Sequence, residues 1–203
     1  MTSTELDKLL IDHLADLDDA IMRVGILDAK VTAAIDGIAE EWAAQNGWVG
    51  LFNWKREIAV APPEWRPSED DWRAWFSLWF GHGDTGKNVG DEDRLWLTRL
   101  CRVGRGQVGF RFGEKRTDGT KERLPRKFID SLRPLGFIID EGGAYYLPFN
   151  ESAAVLANAV RDGDIERGLL ELRKALDVLV QARPHFDELL SSVAIPASSS
   201  SKA

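Results

Sequence analysis

From about Leu6 to Trp42 the apolar residues recur at alternating intervals of four and three. Leu10, Leu17, Val24, Val31 and Ile38 occupy one seam position and Leu14, Ile21, Asp28, Ile35 and Trp42 the other, so nine of ten positions are apolar. A 4-3 pattern held this long without a slip predicts one long α-helix whose seam lies along another helix, as in a coiled coil. At about 1.5 Å per residue such a helix would reach about 55 Å, longer than a small domain is wide. Gly25 and Gly37 fall inside it and mark bends or close helix approach, and Asn46-Gly47 suits a left-handed stop. Asp28 is the one polar seam residue. At that position it would select register and partner, or else face water where the helix bends near Gly25.

After Trp48 the pattern changes to short apolar and alternating runs. Trp48–Trp54, Glu57–Ala61, Ala74–Phe80, Leu95–Val103 and Gln107–Phe112 read as strands, with Leu95–Val103 and Gln107–Phe112 forming a hairpin about Gly104-Arg105-Gly106. Trp72 to Trp79 fits helix or strand. A short helix is expected from Lys121 to Leu132, then a hairpin of Phe137–Asp140 and Ala144–Leu147. Asn150 caps a helix starting at Glu151, which Asp162-Gly163-Asp164 breaks and restarts. The restarted helix carries a second seam, Ile165, Leu169, Leu172, Leu176 and Leu179, and Pro184 ends it. This second helix is the simplest internal partner for the first, but it is about half as long.

The expected architecture is therefore α+β. A coiled-coil-like helix (1–46) precedes a tryptophan-rich antiparallel sheet with a short helix and hairpin (47–149). C-terminal helices (150–194) pack back on the first, and a disordered tail (195–203) follows.

Composition narrows the function classes. One cysteine, Cys101, excludes an intrachain disulfide, and three scattered histidines leave little material for a metal site. No apolar run approaches the length of a membrane span, and the acidic N-terminus is unlike a secretory or mitochondrial signal, so a cytoplasmic protein without a membrane partner is expected. The net charge of −7 is unevenly spread. Residues 1–45 carry ten acids against three bases, and residues 101–133 carry ten Lys/Arg against four acids. A basic segment of this kind suits a phosphate-tracking surface, through Arg105, Lys115, Arg116, Lys121, Arg123, Arg126 and Lys127. It equally suits docking of the acidic helix. The helix Lys121–Leu132 with the hairpin ending at Leu147 resembles the last helix and wing of a winged-helix module. The strand-rich stretch before it departs from that pattern.

Gly81-His82-Gly83-Asp84-Thr85-Gly86-Lys87 has the glycine and lysine spacing of a phosphate-cradling loop. The next residue, Asn88, replaces the Ser or Thr that would hold Mg²⁺, so nucleotide binding is the least favoured reading. The acidic runs Glu69-Asp70-Asp71 and Asp91-Glu92-Asp93 fit solvated turns, and Asp28-Ala29-Lys30, the one acid-x-Lys triplet, lies inside the seam helix. All eight tryptophans lie between residues 42 and 96, where packing explains them better than base stacking.

The sequence thus points to a non-enzymatic protein without cofactor. Its expected role is an interaction or assembly module, such as an adaptor, regulator or inhibitor. It would act through the helical seam Leu10, Leu14, Leu17, Ile21, Val24, Asp28, Val31, Ile35 and Ile38, on another protein or on itself as a homodimer. Nucleic-acid binding by residues 102–133 is the alternative.

Overall fold

The computed structural model describes residues 3–81, 96–103, 107–115 and 128–193. The fold is α+β. Two helices open it, α1 (Ser3–Asp12) and α2 (Leu14–Asn46). Six strands follow: β1 (Val49–Asn53), β2 (Glu57–Ala61), β3 (Ala74–Gly81), β4 (Gln107–Glu114), β5 (Ile138–Ile139) and β6 (Tyr145–Phe149). The short helices α3 (Trp96–Leu100) and α4 (Ile129–Leu132) interrupt them, and α5 (Ala153–Asp162) and α6 (Leu170–Val193) close the chain.

The strands form one sheet in the order β1-β2-β3-β4-β6-β5, with every neighbouring pair antiparallel. Alternation along the strands sends Val60, Phe76, Phe110, Phe112, Tyr145 and Leu147 to one face, where all are buried. Phe186 of α6 stands at the centre of that face. Its ring lies 4.4 Å from Phe112, 5.0 Å from Phe76, 5.4 Å from Phe137, 5.5 Å from Tyr145 and 6.5 Å from Trp65, centroid to centroid. Helix α6 therefore lies on the sheet with its own seam inward, and Leu169, Leu172, Leu176 and Leu179 are fully buried.

Tryptophan anchors fix the layers. The indole N–H of Trp42 donates to Asp177 at 3.0 Å and that of Trp65 to Asp187 at 2.7 Å, so α6 binds an indole on each of two turns. These bonds satisfy the one polar atom of a ring that is otherwise buried for its apolar area. At the start of α6, the buried Glu151 carboxylate accepts from the backbone N–H groups of Leu172 at 2.8 Å and Glu171 at 3.1 Å. It so caps a helix it does not belong to.

Several expectations need correction. The N-terminal helix is not continuous: it breaks at His13, whose φ of −120° and ψ of 25° leave the helical range. Helix α2 then runs unbroken through Gly25 and Gly37, and nothing lies within 4 Å of where either Cβ would stand, so neither marks a close approach. The stop at Gly47 is left-handed with φ 66°, as the Asn-Gly pair predicts. The expected strand Leu95–Val103 contains helix α3, so the hairpin it was to form with Gln107–Phe112 does not exist; β4 pairs with β3 and β6 instead. Pro184 does not end the last helix. Helix α6 continues to Val193, because Phe186 and Leu189 on the turns beyond the proline are fully buried and outweigh one missing backbone hydrogen bond. Ser152, not Asn150, caps α5, and Ile165 belongs to a short 3₁₀ turn (Ile165–Gly168). The β5-β6 hairpin is the edge of the common sheet rather than a free wing.

Gly37 is exposed, sits mid-helix and has open space at its Cβ direction. Gly37→Ala should stabilise the fold by about 0.5–1 kcal/mol, read as a higher denaturation midpoint with unchanged slope.

Candidate interaction surface

The seam of the N-terminal helix is divided into two unlike halves. Val31, Ile35 and Ile38 are buried in this chain's own core, together with Ala39, Trp42 and Ala43, where α2 packs against β1, β2, α6 and the 165–168 turn. Leu17, Val24 and Asp28 are half-buried. Leu10, Leu14 and Ile21 are exposed, Ile21 to 71% of its surface.

The exposed half is broader than the heptad predicts. Leu6, Leu9, Ile11, Met22 and Ile26 are exposed beside the seam residues, Ile11 at 66% and Met22 at 63%. At 100° per residue within α2, Leu14, Ile21, Met22 and Ile26 spread over a face adjoining the half-buried one rather than along one line. An apolar surface of eight large side chains between Leu6 and Ile26, about 30 Å at helical rise, is unlike the scattered apolar residues of an ordinary monomer. Sequence reasoning missed the side residues because a heptad template counts only its two seam positions.

The body takes hold of α2 at Asp28. The Trp96 indole N–H donates to Asp28, the Trp96 ring packs on Trp54 at 4.3 Å, and the Trp54 backbone N–H donates to Asp36 at 2.8 Å. The polar seam residue thus has a partner within its own chain. Leu27 is the first α2 side chain packed against the common core. N-terminal to this clasp the helices form an arm, in which residues 3–28 carry seven acids and two bases.

The basic segment is only partly described. Arg105, Arg116, Lys121, Arg123, Arg126 and Lys127 lie outside the described residues, as do His82 to Lys87 of the glycine-rich loop; Gly81 ends β3. Among the described basic residues, Lys115 pairs with Asp71 at 2.9 Å and Arg133 with Asp130 at 3.4 Å. Arg111 pairs with Asp140 at 2.9 Å and lies over the Trp79 ring at 4.7 Å.

Among the described residues, no group of three or more His, Cys, Asp or Glu is placed to hold a metal ion, and no helix is long and apolar enough to cross a membrane. Cys101 is half-buried, and burial first and the nearby Glu151 charge second push its thiol pKa up, away from the thiolate form. Comparisons with protein-family models, with curated protein sequences and with solved structures return no match.

Burial also raises the pKa of Glu151, against the pull of the Leu172 and Glu171 N–H groups, and raises that of Asp36 despite the Trp54 N–H. A carboxyl that holds its proton more tightly when folded contributes stability below its unfolded pKa, and this is lost as pH rises through the folded value. The Tm advantage of the wild type over Glu151→Gln should therefore shrink as pH climbs above the ordinary glutamate value of 4.5, whatever constant offset the lost cap bond adds. The divided seam is checked separately. Ile35→Ala should cost about 2–4 kcal/mol in chemical denaturation, whereas Ile21→Ala should stay within about 0.5 kcal/mol of wild type.

Proposed function

We propose that this protein is a non-enzymatic interaction module whose N-terminal arm docks on another protein. The observation that carries the reading is the exposed apolar face Leu6–Ile26, held away from the core by a helix whose other half is locked into it. Full burial of each such side chain is worth about 1.5–3 kcal/mol, so three or four of them covered by a partner supply useful affinity after the costs of association.

Charge favours a different protein over a second copy. Two arms laid side by side would bring seven acids of one against seven of the other, with only two bases each to offset them. A partner helix with an apolar stripe flanked by Lys and Arg would match both the stripe and the charge. Nucleic-acid contact through residues 102–133 is the second reading; of its candidate contacts Lys115 alone is among the described residues, and it is paired with Asp71.

Two measurements test the proposal. Light scattering at low salt should give the mass of a monomer; a dimer there would replace the foreign partner by a second copy. A helical peptide with a leucine stripe flanked by lysines should bind the wild type, lose affinity as salt is added, and fail to bind Leu14→Glu/Ile21→Glu. Equal binding to that variant, whose substitutions lie on exposed positions and leave the core intact, would remove the arm as the docking surface.

A further inference from the structure

The sheet's other face carries a second feature, independent of the arm. Leu51, Glu57, Ala59, Asp70, Trp72, Trp75 and Lys115 line an open cavity of about 270 Å³. The register explains its floor. Leu51 faces Ala59 across β1 and β2, and Ala59 faces Ser77, the residue two beyond Trp75 on the same face of β3. Its aromatic walls are Trp72 and Trp75, with centroids 6.5 Å apart and planes at 85°. Both rings are half-buried. Trp75 lies against Gly113 of the neighbouring strand, where any Cβ would stand 2.7 Å from the indole, so the absence of a side chain there lets the ring lie down on the sheet.

The charges around the cavity are not equivalent. The Lys115 ammonium is bound to Asp71 at 2.9 Å. The Arg66 guanidinium donates to the Glu69 carbonyl at 2.8 Å and sits over Trp72 at 4.4 Å. Both cations are thus already engaged, Arg66 over one face of the Trp72 ring. The carboxylates of Glu57 and Asp70 have no hydrogen-bond or ion-pair partner among the described residues, although both line the cavity. Two indoles meeting at a right angle, with two unengaged carboxylates beside them, complement a cation that carries apolar surface. Such a cation is poorly hydrated, so it gains from the ring faces while the carboxylates balance its charge. An anion would meet the carboxylates instead, and a neutral ligand would make no use of them.

We propose that this cavity binds a small alkylated ammonium compound, its methylated nitrogen in the corner between Trp72 and Trp75 and its charge balanced by Glu57 and Asp70. The cavity suits a headgroup with a short chain, below the size of most drug-like ligand pockets. This reading stands or falls separately from that of the arm, which lies on other elements.

The test uses the full chain, labelled with ¹⁵N, and choline as probe. Choline should shift the indole N–H signals of Trp72 and Trp75 saturably in the millimolar range and leave those of the buried Trp42 and Trp65 unmoved. Its uncharged carbon analogue, 3,3-dimethylbutanol, should bind weaker by about tenfold or more. The exposed pair Glu57→Gln/Asp70→Asn should weaken choline by about tenfold while leaving the spectrum of the fold unchanged. Trp72→Phe keeps an aromatic wall and should retain part of the affinity that Trp72→Ala loses. No saturable shift, equal binding of the neutral analogue, or full affinity in the double carboxamide variant would each overturn the proposal.

Discussion

Phe186 is the point on which the fold rests. Five aromatic rings contributed by the Pro63–Trp65 turn, β3, β4, the start of the β5 hairpin and β6 converge on it, and it can reach them only because α6 continues past Pro184. With Phe186 seated, the Leu169, Leu172, Leu176 and Leu179 stripe is laid along the sheet. Asp177 and Asp187 then present carboxylates to Trp42 and Trp65. That contact fixes where α2 lies, and its position decides how much of the N-terminal helix the body can cover. Among the described residues Leu27 is the first α2 side chain packed against the common core, and Leu17 and Val24 before it are only half-buried.

A single helix consequently does two jobs with one sequence pattern. Its C-terminal half supplies core side chains and carries the polar bonds that hold the clasp together, Trp96 to Asp28 and Trp54 to Asp36. Its N-terminal half keeps the same apolar periodicity with Leu14 and Ile21 exposed and Leu17 and Val24 only half-buried, and it gathers acids. The break at His13 divides the arm into α1 and the start of α2 without removing the exposed leucines and isoleucine of α1.

Much of the fold is legible in the residues. The periodicity of both seams, the stop at Gly47, strand β2 to its ends, and the antiparallel pairing of the last two strands follow from spacing and turn residues alone. The failures have physical causes. Trp96–Leu100 is apolar enough for a strand, but its backbone was free to coil once β4 found its partners in β3 and β6. Pro184 reads as a terminator unless the burial of Phe186 is known. Asp28 reads as a register device because its partner, Trp96, is 68 residues away. The division of the seam was equally out of reach, since a heptad pattern looks the same whether its partner is internal or foreign. The cavity beside Trp72 and Trp75 joins residues from four segments, and only the register of the sheet brings them together.

The central claim, that the N-terminal helical segment is core beyond Asp28 and an uncovered apolar surface before it, is tested most directly by amide hydrogen exchange along residues 3–46 of the isolated protein. The account predicts a boundary near Asp28, with amides from Val31 to Ala43 exchanging only through global unfolding and those before Ile26 exchanging orders of magnitude faster, as in a helix without tertiary support. Uniform strong protection from Leu6 to Trp42 would contradict it, because the apolar face of the arm would then already be covered within the molecule.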